Sequence, residues 1–189
     1  MGVDPGLTRC GVGIVRGGVG TPLELLGVGV IRTPSDLDHG ARLLRIHDGL
    51  EEWFDAHHPD AMAVERVFAQ HNRSTVAGTA QAMGLTQMIG ARHGVAVGVH
   101  TPSEVKAAIS GSGRADKAQV GLMVARVLHL EKPPTPADAA DALALAITHI
   151  WRGGTQSRIE AAMAVHQHSP ARTWRQRPAP RTRQEHHLR

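Results

Sequence analysis

The alternation of apolar and polar residues predicts strands first and helices later. Residues 10–15 and 23–31 are rich in Val, Ile, Leu and Gly, and a turn-prone Arg-Gly-Gly-Val-Gly sequence separates them, which predicts two antiparallel strands. A third strand is expected before the Asp4-Pro5-Gly6 turn. Apolar side chains at helical spacing then predict an amphipathic helix over about 38–57.

Beyond residue 60 the pattern alternates between strands and helices. Strands are expected over residues 61–68 and 95–100. Four helices are expected: one over 74–92, one that begins at the Thr101-Pro102-Ser103-Glu104 capping box, one over about 115–130, and one that begins at Thr135-Pro136. A strand meander followed by alternating helices and strands predicts an α/β fold with a mixed sheet.

Four acidic residues lie at positions where a charge is costly. Asp4 ends the first strand, and Glu65 interrupts an apolar strand. Asp138 and Asp141 lie three residues apart, on one face of the last helix, just before an apolar Ala-Leu-Ala-Leu-Ala-Ile run. A capping role for Asp138 and a solvated position for Asp141 are the ordinary alternatives. The apolar run argues for burial, and a buried carboxylate requires a cation.

If the strands carrying Asp4 and Glu65 are neighbours, the four carboxylates converge. Their mutual repulsion would favour divalent cations between them. Oxygen-only ligation favours Mg²⁺ or Mn²⁺ over zinc, and a pair of such ions suits phosphodiester hydrolysis.

Charge and composition divide the chain in two. Residues 152–189 hold eight arginines against two glutamates, whereas residues 1–151 hold 13 Lys and Arg against 15 Asp and Glu. We therefore expect a folded domain over 1–151 and a basic extension over 152–189 that is largely disordered from about 169. The single Cys10 is expected to be buried, and the absence of a long apolar run predicts a soluble cytosolic protein without membrane contact.

Five segments resemble the motifs of the RuvC family, the bacterial Holliday junction resolvases. In order along roughly residues 1–151, they are Gly2-Val3-Asp4-Pro5-Gly6, Val64-Glu65-Arg66-Val67-Phe68, Val105-Lys106, Asp116-Lys117 and Ala137-Asp138-Ala139-Ala140-Asp141-Ala142-Leu143-Ala144. The resemblance implies an RNase H-like fold with a mixed five-stranded sheet flanked by helices. It also implies a homodimer that binds Holliday junction DNA in recombination and repair, cuts two opposed strands symmetrically, and leaves ligatable nicks with 5′-phosphate and 3′-hydroxyl ends. The RuvA and RuvB branch-migration complex is the implied partner.

The resemblance also assigns roles to individual residues. It implies that two Mg²⁺ ions, replaceable by Mn²⁺, bind the catalytic acids Asp4, Glu65, Asp138 and Asp141. The implied DNA-binding residues are Phe68, His71, Arg73, Lys106 and Lys117. Phe68 would stack near the crossover, and His71 stands where relatives often have Lys or Arg. The small-residue helix from Ser74 would form the dimer contact, and the strand bearing Asp4 is expected to be very short.

Other interpretations of the same residues stay open. Another RNase H-like nuclease, acting on RNA or other branched DNA, would need the same acids. A noncatalytic junction-binding protein would not need four buried acids. Phe68 has an alternative role in the core, and Lys106 and Lys117 have alternative positions as solvated surface charges.

Overall fold

The structure is a computed structural model that describes residues 1–67 and 73–167, with only the backbone described for 73–75 and 154–167. Its sheet has five strands, β1 (Gly2–Asp4), β2 (Arg9–Arg16), β3 (Glu24–Arg32), β4 (Met62–Glu65) and β5 (Val97–His100). Their order is β3-β2-β1-β4-β5, with β1–β2 and β2–β3 antiparallel and β1–β4 and β4–β5 parallel. The predicted five-stranded mixed sheet is therefore confirmed, with the short β1 at its centre.

Five helices surround this sheet. They are α1 (His39–His57), α2 (Arg73–Arg92), α3 (Pro102–Ser110), α4 (Lys117–Val127) and α5 (Ala137–Gln167). The predicted capping box is present at the start of α3, where Thr101 and Glu104 exchange hydrogen bonds. Asp116 and Gln119 form a second box at the start of α4. Within the described part of the chain, no helix is both long and apolar enough to cross a membrane.

The two faces of the sheet bury different kinds of side chain. On one face, Val3, Val12 and Met62 pack with Ile46 and Leu50 of α1 in a core of large apolar residues. On the other face the central strands carry small residues, and the first turns of α5 lie directly against them. A Cβ atom added at Gly2 would lie 2.1 Å from the carbonyl oxygen of Ala142 in α5, which no real contact allows. Because the glycines on this face have no side chains, the backbone of α5 packs directly against the strands.

Some predicted boundaries differ from those observed. The strand expected over 61–68 ends at Glu65, although the backbone N–H of Arg66 still donates to the carbonyl of His100 in β5 at 2.7 Å. The last helix begins at Ala137 rather than at Pro136, and it continues past the predicted domain boundary at residue 151 to Gln167. Cys10 is fully buried, as expected.

Candidate active site

Asp4 and Glu65 occupy equivalent ends of neighbouring strands. The parallel register of β1 and β4 pairs Gly2 with Ala63 and Val3 with Val64. The next residues in this register are Asp4 and Glu65, so both carboxylates leave the sheet on the same face. Glu65 ends its strand at this edge rather than interrupting it, which explains how an apolar strand accommodates an acid.

The first turn of α5 lies above this edge of the sheet. Gly11 is paired with Asp4 across β1 and β2, and a Cβ atom added at Gly11 would lie only 2.1 Å from the backbone oxygen of Asp138. The helix therefore rests on a glycine beside Asp4. Because Asp138 and Asp141 are three residues apart, both project from this turn near the strand ends.

Asp4, Glu65 and Asp141 line one cleft, the acid cleft, together with two lysines. The cleft has a volume of about 240 Å³, and its other lining residues are Pro102, Val105, Lys106, Lys117 and Val120. Nζ of Lys117 donates to Oδ2 of Asp141 at 2.8 Å. The cation that the sequence requires for Asp141 is therefore supplied by the first residue of α4.

Carboxylate charge is incompletely balanced in this cleft. Burial raises the pKa of Asp4 to about 7, and the negative charges of Glu65, Asp141 and Asp138 add to the effect, while Lys117 partly offsets it. Burial followed by the charge of Asp141 also raises the pKa of Glu65, although Lys117 and Lys106 act in the opposite direction. Hydrogen bonding to Asp141 raises the pKa of Lys117. The site favours additional positive charge.

Asp138 lies on the boundary of a second cleft and has a cation of its own. Nε of Arg9 lies 2.9 Å from Oδ2 of Asp138. That oxygen is buried without a hydrogen-bond partner, because the Arg9 N–H does not point at it closely enough to form a hydrogen bond. The sequence did not predict a role for Arg9. Its position at the start of β2, next to the Asp4-Pro5-Gly6 turn, is the one signal that could have suggested it.

The predicted DNA-binding residues fall into two sets. Phe68 and His71 lie outside the described residues, as does the side chain of Arg73. Lys106 and Lys117 both lie beside the carboxylates.

The donor set of the cleft fits a hard divalent cation. All its anionic donors are carboxylate oxygens, and burial together with the neighbouring carboxylates raises the pKa of Asp4 although Lys117 lies nearby. Within the described residues, however, only Glu51, Asp55 and His93 bring one ligand atom each within 4.8 Å of one another. That second group lies on α1 and just after α2, away from the four acids, and adds nothing to the case for a metal in the cleft.

Comparison with known proteins identifies the family. Residues 1–149 match the family model described as "Crossover junction endodeoxyribonuclease RuvC". The chain belongs to the RuvC family. A RuvC protein of Cutibacterium acnes is 76% identical over 165 residues, which cover 87% of this chain and 84% of the relative. One of Streptomyces avermitilis is 61% identical over 166 residues, covering 88% of this chain and 94% of that protein.

Solved RuvC structures share the fold as well. The structure titled "T. thermophilus RuvC in complex with Holliday junction substrate" is similar with a TM-score of 0.77 and 33% identity, over 82% of this chain and 94% of that one. A fowlpox virus resolvase, 12% identical with a TM-score of 0.53 over 79% of this chain and 96% of its own, shares the fold alone. The predicted RNase H-like fold of RuvC is therefore confirmed.

Proposed function

We propose that this protein is an endodeoxyribonuclease that resolves Holliday junctions by metal-dependent hydrolysis of two opposed strands. The observation that carries this proposal is the cleft in which Asp4, Glu65 and Asp141 meet with Lys106 and Lys117. The membership in the RuvC family and the similarity to a RuvC captured with junction DNA support it.

The four acids would hold the cations. Asp4, Glu65 and Asp141 share the cleft, and Asp138, one turn earlier on the same helix, lies in the wall of the neighbouring cleft. When bound, two Mg²⁺ or Mn²⁺ ions would supply an activated water and stabilise the leaving oxygen of an in-line displacement. Burial is the main cause of the raised pKa of Asp4, and repulsion from the neighbouring carboxylates adds to it. Bound cations would relieve this repulsion.

The lysines would orient the backbone of the DNA. Lys117 is largely exposed beyond its contact with Asp141, and Lys106 lines the same cleft from α3. Both ammonium groups can therefore approach the phosphate that enters the cleft, adding the sequence-independent attraction typical of nucleases. The proposed stacking of Phe68 on a base near the crossover rests on the resemblance alone.

A homodimer is proposed from the surface of α2. The exposed side of this helix carries Ala77, Gly84 and the half-exposed Met88, and open space surrounds Gly84. Small residues let a second copy of the helix approach closely. Two copies would present two clefts to two opposed strands. Cooperation with the RuvA and RuvB complex is proposed from the family resemblance.

Cleavage of a synthetic four-way junction tests this function. The protein is incubated with a labelled junction in Mg²⁺, in Mn²⁺ and in EDTA, with flap, duplex and RNA–DNA hybrid substrates in parallel. Paired symmetric nicks on the junction in Mg²⁺, sealed by ligase and absent in EDTA, are the expected result. Faster cleavage of flap or hybrid would instead favour another RNase H-like nuclease, and binding without cleavage would favour a noncatalytic protein.

A further inference from the structure

A second cleft adjoins the acid cleft at the start of α5. It has a volume of about 350 Å³ and is lined by Gly6, Leu7, Thr8, Arg9, Arg42, Gly78, Thr79 and Asp138. Asp138 belongs to its wall, while Asp141, one turn along the helix, belongs to the wall of the acid cleft. A strand that runs from the acid cleft along the start of α5 would bring a neighbouring phosphate to this second cleft.

The second cleft carries an excess of positive charge. Its described lining includes two arginines and one aspartate. The side chain of Arg9 is 48% exposed although it is paired with Asp138. Because that pair lacks a well-aligned hydrogen bond, the guanidinium of Arg9 keeps its directional donors for another acceptor. An anion that enters the cleft therefore meets the guanidinium of Arg9, which is accessible to solvent.

Arg42 is held in place by hydroxyl groups. Its Nε donates to Oγ1 of Thr33 at 3.0 Å, and its Nη2 donates to Oγ1 of Thr8 at 2.8 Å. These bonds use two of the five N–H donors of a guanidinium. They also fix the plane of the group without neutralising it, since both partners are uncharged. A fixed guanidinium with no acidic partner among the described residues suits the tetrahedral oxygens of a phosphate.

The floor of the cleft is closely packed. Gly78 of α2 lies against the turn that follows β1, where an added Cβ atom would approach Leu7 to 2.9 Å. The turn bearing Thr8 and Arg9 is therefore held between α2 and the start of α5. Such packing keeps the two arginines in a constant position relative to Asp138 and Asp4.

From these observations we infer that Arg9 and Arg42 form a phosphate-binding subsite, which takes a backbone phosphate next to the scissile one on the strand being cut. The inference rests on the proposed nuclease function and extends it to how the strand is positioned. Arg9 would act as a direct phosphate contact. Arg42 would bind the same phosphate from α1.

The first test measures junction binding as a function of salt. Binding of a labelled four-way junction is followed by fluorescence anisotropy in EDTA, where cleavage does not interfere, for the wild type, Arg9→Gln, Arg42→Lys and Arg42→Gln. Arg16→Gln is the matched control, because Arg16 lies at the other end of β2 and is likewise paired with an acid, Glu24. We expect the slope of log affinity against log salt to fall by about one for Arg9→Gln and Arg42→Gln. Arg42→Lys keeps its charge and should keep the slope, and Arg16→Gln should match the wild type.

The second test locates the phosphate. Single methylphosphonate linkages, which lack the negative charge, are placed at successive positions around the cleavage point. For the wild type, neutralising one flanking phosphate should weaken binding by about tenfold. The same linkage should have a smaller effect on Arg9→Gln, in which only Arg42 still contacts that phosphate. Melting temperatures of all variants are measured in parallel, so that loss of the fold is recognised.

The outcomes separate this inference from the proposed function. If the wild type fails to bind or cut the junction, the proposed function is wrong. If it binds and cuts while Arg9→Gln and Arg42→Gln, both folded, keep its salt slope and its methylphosphonate response, the subsite is refuted and the two arginines serve only to hold the turn after β1.

Discussion

Two groups of acidic side chains lie on opposite sides of the sheet and differ in how their charge is balanced. In the acid cleft, burial and mutual repulsion raise the pKa of Asp4 to about 7. On α1, Glu51 lies 2.6 Å from Nε2 of His93 and 3.6 Å from the guanidinium of Arg92. The second group is the tighter one, and its Glu51 has basic neighbours in His93 and Arg92.

The contrast shows that proximity of possible ligands does not by itself define a metal site. The cleft combines burial, an excess of carboxylates and an opening to solvent beside lysines, and these features together create a demand for cations. The group around Glu51 meets only the distance criterion. Basic side chains that are already present can compensate its charge, so we assign it a role in packing α1 against the end of α2.

Replacing a cleft acid should have the largest effect. We expect Asp141→Asn to lower single-turnover cleavage of a four-way junction by about a thousandfold or more, because under the proposed function it removes a cation ligand that contributes several kcal/mol to transition-state stabilisation. Junction binding in EDTA should stay close to that of the wild type. Glu51→Gln is the matched control and should cleave within about twofold of the wild type. Near-normal cleavage by Asp141→Asn would refute the assignment.

The pH dependence of stability should also differ between the two groups. The pKa of Asp4 is raised from 3.8 to about 7 by folding, so the folded state disfavours its charged form. Without divalent metal, the protonated carboxyl of Asp4 therefore contributes to the free energy of unfolding. This contribution is complete below about pH 4 and is lost as the pH rises through 7. Asp4→Asn should therefore stabilise the protein in EDTA by about 1–3 kcal/mol at pH 8, and by much less at pH 5.

Urea unfolding of both proteins at the two pH values measures this difference. Glu51→Gln, as a control, should not gain stability at pH 8. An Asp4→Asn variant that is no more stable than the wild type at pH 8 would show that the carboxylate is well compensated in the folded protein.

A smaller effect on cleavage is expected from replacing Lys117, which donates a hydrogen bond to Asp141. Lys117→Met should slow junction cleavage by about tenfold, because the variant loses the cation that orients Asp141 and, under the proposed function, a phosphate contact. Lys132→Met, in the exposed segment after α4, provides the control with the same loss of charge. Equal rates for the two variants in single-turnover assays would remove Lys117 from the site.

The smallest effect is expected at the group on α1. His93→Gln removes the partner of Glu51 at a partly exposed position, so the free energy of unfolding should fall by only about 1 kcal/mol or less. Its cleavage rate in Mg²⁺ should match that of the wild type. A loss of metal-dependent activity in this variant would overturn the distinction between the two groups.

How well each feature could be predicted follows from the range of the interactions involved. The acids of the cleft were recognisable because each lies beside apolar sequence, where a charge is costly. The salt bridge between Arg9 and Asp138 was not, because it joins residues 129 positions apart and depends on α5 resting on Gly11. The group formed by Glu51, Asp55 and His93 is likewise created by the packing of α1 against the end of α2. The end of β4 at Glu65 was missed because the apolar sequence continues through Val67 and Phe68.

Direct measurement of Mn²⁺ binding tests the central claim that the cleft acids, and not the group around Glu51, hold the catalytic cations. Electron paramagnetic resonance counts free Mn²⁺ during titration of the wild type, Asp4→Asn, Asp141→Asn and the Glu51→Gln/His93→Gln double variant. We predict that the two cleft variants lose Mn²⁺ binding, whereas the double variant retains the full wild-type stoichiometry. Loss of binding in the double variant, with retention in Asp4→Asn and Asp141→Asn, would contradict the account.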